Sequence, residues 1–335
     1  VIGQMLPEEA RRVEKHLAKL APRCVILAEE LSNVKQEYIT CRHFDSVIAE
    51  DSDNGRLLPD FIVTIGGHIV SKNLKQWLRR NAPQHHWSVS RTGEVADLFQ
   101  CLTMVWECET ERAVEVLAQN IPIDVDADFI GEWEVCGKKI PMKPDDWEIA
   151  VLERTLKSVP TAWNIHVANS SMVRDIQRVP STGCDIYCNR GINGIEGSVS
   201  AAVGLAVGSE KNTLLLTGDL SFFYDQNALW NKCLRGNLRI LLLNNGGGSI
   251  FRTLPGLSES PVAEPMVAAQ HATTAQGICT QNDIGYLKAS TMLDMQLGVV
   301  RLLTAETTRP MLLEVFTDGA EDTRVLQEYY SWNLP

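Results

Sequence analysis

Hydrophobic positions in the first half of the chain follow two alternating patterns. Residues 7–20 place apolar side chains at helical spacing, and Pro7 stands where a helix would have its first turn. Short β-type runs and helical patterns then alternate at 24–28, 60–67, 70–80, 85–90 and 110–119. Strands that alternate with helices predict a small parallel α/β sheet.

The second half is more regular. Its predicted strands are almost wholly apolar and lie at 164–169, 184–189, 212–218, 237–245, 284–290 and 310–316. Helical patterns lie around them at 148–158, 171–178, 196–208, 225–234, 263–277, 291–303 and 321–330. Uninterrupted apolar strands are typical of a parallel sheet with helices on both faces, and right-handed crossovers would make this sheet doubly wound.

The chain of 335 residues is long for one hydrophobic core, so two domains are expected. We place a central α/β domain at 1–122 and a doubly wound domain at 148–335. Between them, 123–147 is rich in Pro, Asp and Glu and is predicted to be a solvated linker. The alternative is a metal site in this linker, formed by Asp124, Asp126 and Asp128. The EF-hand glycine and closing Glu are absent, which favours the linker.

Composition narrows the class of protein. Apolar residues make up 44% and charged residues 22%, as in ordinary globular proteins. A net charge of −11 argues against nucleic acid as the partner. No apolar run approaches the roughly eighteen residues of a membrane span. The nine cysteines include no CxxC pair, which favours buried thiols in a reducing cytoplasm.

Two successive predicted strands end in residues that suit an ion site. Gly218 and Asp219 follow one strand, and the run Asn244–Gly248 follows the next. Ligands of doubly wound sheets bind at the carboxyl ends of strands, so the Asp219 carboxylate and an Asn oxygen would converge if the strands are neighbours. These oxygens suit Mg²⁺, and glycines let backbone approach a diphosphate. The alternative is an N-cap Asp and a mobile loop; the matched strand ends favour the ion site.

Three motifs together resemble one enzyme family. Gly-Asp followed after some two dozen residues by Asn-Asn is similar to the thiamine diphosphate and Mg²⁺ fingerprint of the thiamine diphosphate-dependent decarboxylase superfamily. The spelling "GDLSFFYDQNAL", with "NRGINGIEG" upstream and "NNGGGSIF" downstream, resembles the MenD family. Members of this family are menaquinone-pathway synthases of 2-succinyl-5-enolpyruvyl-6-hydroxy-3-cyclohexene-1-carboxylate.

The resemblance implies a cofactor site in the second domain, which would be the diphosphate-binding domain. The side chains of Asp219 and Asn245 and the carbonyl of Gly247 would hold Mg²⁺ (or Mn²⁺). Ile250 would lie beneath the thiazolium ring of thiamine diphosphate. The other implied cofactor contacts are Gly218, Leu220, Ser221, Gly248 and Ser249.

The resemblance also implies a substrate site. Ser170, Arg174 and Arg190 would bind substrate carboxylates, for which the forked Arg side chain is suited. Phe251 and Leu254 would line an apolar wall, and Lys72 matches a substrate lysine. Taken alone, each Arg is more often part of a surface ion pair, and an exposed helix lysine is the alternative for Lys72.

For the whole enzyme, the resemblance implies decarboxylation of 2-oxoglutarate and addition of the succinyl-semialdehyde unit to isochorismate. It also implies a homodimer or homotetramer in the cytoplasm. One alternative is another thiamine diphosphate-dependent carboligase or decarboxylase, such as an acetolactate-synthase relative. A second alternative is a non-catalytic module that retains the fold.

In this superfamily a Glu from a separate pyrimidine-binding domain activates the cofactor. No segment of this chain is interpreted as that domain, so no catalytic residue is assigned. We therefore expect the chain to be the central and diphosphate-binding part of a longer enzyme. On its own it is expected to bind the cofactor weakly and not to turn over.

Overall fold

The computed structural model describes residues 1–50, 55–122, 126–138, 146–254, 256–257 and 260–331. The chain divides into two units, around residues 1–142 and 143–330. Their boundary falls inside the segment predicted to be a linker. That segment also holds a helix at Ala127–Gly137, whose Trp133 is buried. Asp126 caps this helix by accepting a hydrogen bond from the Phe129 N–H at 2.9 Å, while Asp124 lies outside the described residues.

Within the described residues, the first unit holds a parallel sheet of β1 (Phe61–Thr64), β2 (His85–Ser90) and β3 (Met104–Glu107), in that order. Its helices are α1 (Pro7–Leu20), α2 (Phe44–Glu50), α3 (Lys72–Arg80), α4 (Thr110–Asn120) and α5 (Ala127–Gly137). Short 3₁₀ turns lie at Glu30–Ser32 and Gln36–Tyr38.

Helix α1 shows how the sequence builds this unit. Pro7 occupies its first turn, where the missing N–H costs nothing, and Ala10, Val13 and Leu17 are buried on one face. This face packs in one apolar core with α4, while α2, α3 and α5 share a second core. The unit is therefore an α/β layer structure, as predicted.

One predicted strand of this unit is wrong. The run at 24–28 forms only isolated bridges, from Leu27 to Cys41 and from Ala28 to Ile2. Its Ile26 N–H donates to the Thr40 hydroxyl at 2.9 Å, so a side chain stands where a strand would supply a carbonyl. Conversely, β3 was not predicted from the sequence.

The second unit is built on a parallel sheet in the order β5-β4-β6-β7-β9-β8, counted over the described residues. The strands are β4 (Asn164–Val167), β5 (Asp185–Cys188), β6 (Thr213–Gly218), β7 (Leu238–Asn244), β8 (Gly285–Ala289) and β9 (Met311–Phe316). All pairs are parallel, and β7 is buried along its whole length. The predicted fold class is confirmed.

Helices lie between these strands. They are α6 (Trp147–Ser158), α7 (Ser171–Asp175), α8 (Ser198–Gly208), α9 (Asp219–Tyr224), α10 (Ser249–Arg252), α11 (Gln276–Gln281), α12 (Met292–Thr304) and α13 (Gly319–Ser331). Short 3₁₀ segments lie at Ile176–Arg178 and Gln226–Trp230. The chain order reverses between β4 and β6, which is the point where doubly wound sheets bind ligands.

The single helix predicted at 263–277 is wrong. The segment instead forms a five-residue π-helical turn, Ala263–Val267, followed later by α11. The Ala268 carbonyl accepts from the Gly248 N–H at 2.7 Å, and Ala269 has a positive φ of 49°. A residue in the left-handed region ends a helix, and Ala268 and His271 instead form hydrogen bonds with the glycine loop.

Candidate functional site

A cavity of about 420 Å³ opens at the carboxyl ends of β4, β6 and β7. The register of β6 and β7 places Gly218 beside Leu243, so Asp219 and Asn244 leave the sheet side by side. All nine residues of the predicted cofactor site line this cavity: Gly218, Asp219, Leu220, Ser221, Asn245, Gly247, Gly248, Ser249 and Ile250. The structure therefore brings the two strand-end motifs together.

The Asp219 carboxylate is buried and held by backbone donors. Its Oδ1 accepts from the Leu220 N–H at 2.6 Å, and its Oδ2 accepts from the Gly247 N–H at 3.0 Å. Burial raises the pKa of Asp219, although these backbone hydrogen bonds and the nearby His271 oppose the rise. A buried carboxylate with lone pairs to spare is a suitable ligand for a hard cation.

Asn245 supplies the clearest sign of a cation site. Its Nδ2 donates to Glu148 Oε1 at 3.2 Å. Its Oδ1 is buried and has no hydrogen-bond partner among the described residues. A buried amide oxygen without a partner is costly, and a hard metal ion would remove that cost. The residues present therefore fit a Mg²⁺-type ion.

The glycine loop reaches Asp219 because its backbone adopts conformations that other residues avoid. Gly246 and Gly247 have φ values of 75° and 154°. A Cβ at Gly247 would come 2.8 Å from the Ala268 carbonyl oxygen. Because glycine lacks that atom, the loop packs against residues 268–271 and directs the Gly247 N–H at the carboxylate.

Across the described part of the chain, His, Cys, Asp and Glu side chains form no group of three or more that could hold a metal ion. A site made of one carboxylate, one amide oxygen and one backbone carbonyl would not form such a group. This donor set lacks sulfur and imidazole, so it suits Mg²⁺ or Mn²⁺ better than zinc.

His271 lies against this site and was not predicted from the sequence. Its Nε2 is 3.3 Å from Asp219 Oδ2, and its ring meets Phe223 edge-on with centroids 5.3 Å apart. The backbone N–H of His271 donates to the Gly246 carbonyl at 3.0 Å. It is an isolated His in a loop, so no spacing in the sequence pointed to it.

The two serines predicted to contact the cofactor face backbone carbonyls. Ser221 Oγ donates to the Ile195 carbonyl at 2.6 Å and ties the loop after β5 to α9. Ser249 Oγ approaches the Gly319 carbonyl at 3.4 Å. Both hydroxyl oxygens keep acceptor capacity.

Of the predicted substrate residues, Ser170 and Phe251 line the cavity, whereas Arg174, Arg190 and Leu254 are not among its lining residues. Ser170 has the unusual angles φ 72° and ψ −128°, and the Arg174 guanidinium donates to its carbonyl. Non-glycine residues in such conformations are often found at functional sites.

The remaining three candidates are placed as follows. Arg190 is buried and donates to Asn169 Oδ1 at 2.9 Å. Leu254 is 43% exposed. Lys72 belongs to the first unit, where it is exposed at the first turn of α3. The roles predicted for these residues stay predictions.

No helix in the described part of the chain is both long and apolar enough to cross a bilayer.

Comparison with known proteins shows which proteins the chain is related to. No family model matches the chain. Over 326 residues, or 95% of the chain, it is 40% identical to 2-succinyl-5-enolpyruvyl-6-hydroxy-3-cyclohexene-1-carboxylate synthase of Phocaeicola vulgatus. The synthase of the same name from Bacteroides thetaiotaomicron is 39% identical over 323 residues. The chain is a homologue of these synthases.

This homology confirms the family predicted from the motifs. A third relative of the same name, from Christiangramia forsetii, is 35% identical over 348 residues, or 99% of the chain. The chain spans 58% of the length of the first two relatives and 59% of the third.

Proposed function

We propose that the whole protein is a thiamine diphosphate- and Mg²⁺-dependent synthase that decarboxylates 2-oxoglutarate and adds the resulting four-carbon unit to isochorismate. One observation carries the cofactor part of this proposal. The buried carboxylate of Asp219 shares a cavity with Asn245, whose buried amide oxygen has no hydrogen-bond partner among the described residues. The name that the relatives carry supports the reaction.

In this proposal Asp219, Asn245 and the Gly247 carbonyl would hold the metal ion, which would offset the negative charge of the diphosphate. When bound, thiamine diphosphate supplies the carbanion and the electron sink for decarboxylation and carbon–carbon bond formation. Gly248 brings only backbone to the cavity, so a phosphate can approach closely. Leu220 and Ile250 line the same cavity and would exclude water from the apolar part of the cofactor.

The substrate part of the proposal rests on charge. The two proposed substrates carry two carboxylates each, and the chain as a whole is acidic, with a net charge of −11. Local cations are therefore needed, and Arg174 and Arg190 follow β4 and β5 at the edge of the sheet where the cavity opens. A half-buried guanidinium binds a carboxylate more strongly than an exposed one, because water screens it less.

The test uses calorimetric titration of thiamine diphosphate in Mg²⁺, with Asp219→Asn as the variant. Asp283→Asn is the matched control, because Asp283 is 82% exposed and far less constrained. Loss of a ligand should weaken binding by more than about a hundredfold, beyond the 10–100-fold typical of an outer-shell partner. The control should bind like the parent chain. Unchanged binding by Asp219→Asn would remove the basis of the proposed cofactor site.

A second arm tests the reaction. The whole protein should release CO₂ from 2-oxoglutarate and consume isochorismate, and it should act poorly on pyruvate. A preference for pyruvate would instead support another carboligase of the superfamily. A cytoplasmic location and a homo-oligomeric state are parts of the same proposal.

A further inference from the structure

Two carboxylates from different helices interact with the side-chain amide of Asn245. Glu148 Oε1 accepts from Asn245 Nδ2 at 3.2 Å. The Asn245 side chain also opposes the rise that burial causes in the pKa of Asp322, whose carboxylate accepts from the Thr317 hydroxyl at 2.5 Å. Glu148 lies in the first turn of α6 and Asp322 in the first turn of α13. Two acidic residues therefore interact with one uncharged amide.

These half-buried carboxylates belong to an acidic group that is costly to form. Asp146 and Asp175 complete it, and Arg178 lies 2.5 Å from Asp146 and 3.5 Å from Asp175. Burial, together with the neighbouring carboxylates, raises the pKa of Glu148. Arg174 and Arg178 both lower the pKa of Asp175, so two guanidiniums face four acidic side chains, and an imbalance of this kind is retained mainly where it has a use.

The chemistry of an amide suggests that use. Rotation by 180° about its last torsion exchanges the nitrogen and oxygen of Asn245, which differ little in size. The Glu148 oxygen on one side of this amide accepts a hydrogen bond from the amide nitrogen. With an acceptor on that side, the nitrogen faces Glu148 and the oxygen faces the other way. That oxygen is the buried one without a hydrogen-bond partner among the described residues.

We propose that Glu148 and Asp322 are positioning residues that fix the orientation of the Asn245 amide, so that its oxygen is always presented to the metal ion. This inference rests on the proposed function in one respect, namely that Asn245 Oδ1 is a metal ligand. Neither carboxylate needs to touch the ion. They make the site ready before the metal arrives, in the manner of outer-shell partners.

The test measures Mn²⁺ affinity by electron paramagnetic resonance, with thiamine diphosphate present. Glu148→Met removes the acceptor at similar size and should weaken Mn²⁺ binding about 10–100-fold. Glu148→Gln keeps an acceptor oxygen and should remain within about threefold of the parent chain. Glu153→Met is the matched control on the same helix, where Glu153 pairs with Lys157 at the surface, and it should have no effect.

A double-mutant cycle separates orientation from general disruption. Asp at position 245 has an oxygen on both sides, so its orientation cannot matter. In the Asn245→Asp background, Glu148→Met should therefore not weaken Mn²⁺ binding. Equal weakening in both backgrounds, or no weakening in either, would overturn the proposal. Asp322→Ala is run through the same cycle, so the test survives if Glu148→Met does not fold.

An error in the proposed cofactor site would give a different result from an error in the positioning role. If the cofactor site itself is wrong, Asp219→Asn binds Mn²⁺ like the parent chain. If only the positioning role is wrong, Asp219→Asn abolishes Mn²⁺ binding while Glu148→Met leaves it intact.

Discussion

Glu314 connects the core of the second unit to the glycine loop, and its removal should destabilise both. The residue is fully buried in β9 and accepts hydrogen bonds from three groups. Asn244 Nδ2 and the Tyr286 hydroxyl donate at 2.7 Å, and the Ala275 N–H lies 3.1 Å from both oxygens. Asn244 in turn accepts from the Gly246 N–H at 3.1 Å. Glu314→Ala leaves these buried donors without their acceptor.

The expected loss follows from the number of donors. Each unsatisfied buried donor costs about 1–3 kcal/mol, and part of that cost is recovered when water enters the space. We therefore expect Glu314→Ala to lower the free energy of unfolding by about 3–5 kcal/mol, as for other broken buried charged networks. Urea unfolding followed by circular dichroism measures this loss. Glu306→Ala, at an exposed position, is the control and should change little.

A substitution at Tyr286 tests whether the Glu314 hydrogen bonds form one network. Tyr286→Phe removes one hydrogen bond to a carboxylate and should cost about 1.5–3 kcal/mol in the parent chain. In the Glu314→Ala background the acceptor is already gone, so the same change should cost about 0.5 kcal/mol or less. An equal cost in both backgrounds, or a loss below about 1 kcal/mol for Glu314→Ala alone, would refute the network.

Three further predictions follow from the same geometry. Burial raises the pKa of Glu29 to about 7, although hydrogen bonds from the Val70 and Ser71 N–H groups oppose the rise. The stability that this group contributes is therefore present below pH 4.5 and is lost as pH rises through 7. Glu29→Gln should thus flatten the fall in unfolding free energy over that window by up to about 3 kcal/mol, and parallel curves in urea titrations would contradict this. Gly247→Ala should weaken Mn²⁺ binding at least about tenfold, because the new Cβ would lie 2.8 Å from the Ala268 oxygen. Electron paramagnetic resonance measures the binding, and an unchanged Mn²⁺ affinity would contradict this prediction. In the whole protein, Arg174→Ala should raise KM for a dicarboxylate substrate about 10–100-fold in steady-state assays, while exposed Arg301→Ala should not.

The convergence of Asp219 and Asn245 could be predicted because it depends on local facts. Both residues follow apolar runs, and neighbouring parallel strands end at the same edge of a sheet. The register of β6 and β7 then sets their proximity. Glycine at 246 and 247 was equally visible, because few other residues allow such a loop.

The surroundings of these residues could not be predicted in the same way. Glu148 looks like an ordinary acidic residue in a helical first turn, and His271 is a lone residue in a loop; tertiary packing alone brings them to the site. The helix predicted at 263–277 failed for a related reason. Two of its backbone hydrogen bonds join the glycine loop at Gly246 and Gly248, and local periodicity does not show them.

The most direct test of the central claim is a crystal structure of the chain with Mn²⁺ and thiamine diphosphate, recorded with anomalous scattering from manganese. We predict one strong anomalous peak within coordination distance of an Asp219 carboxylate oxygen and of Asn245 Oδ1, with the diphosphate on its far side. A peak elsewhere, or an Asn245 amide turned with its nitrogen toward the metal ion, would contradict the account.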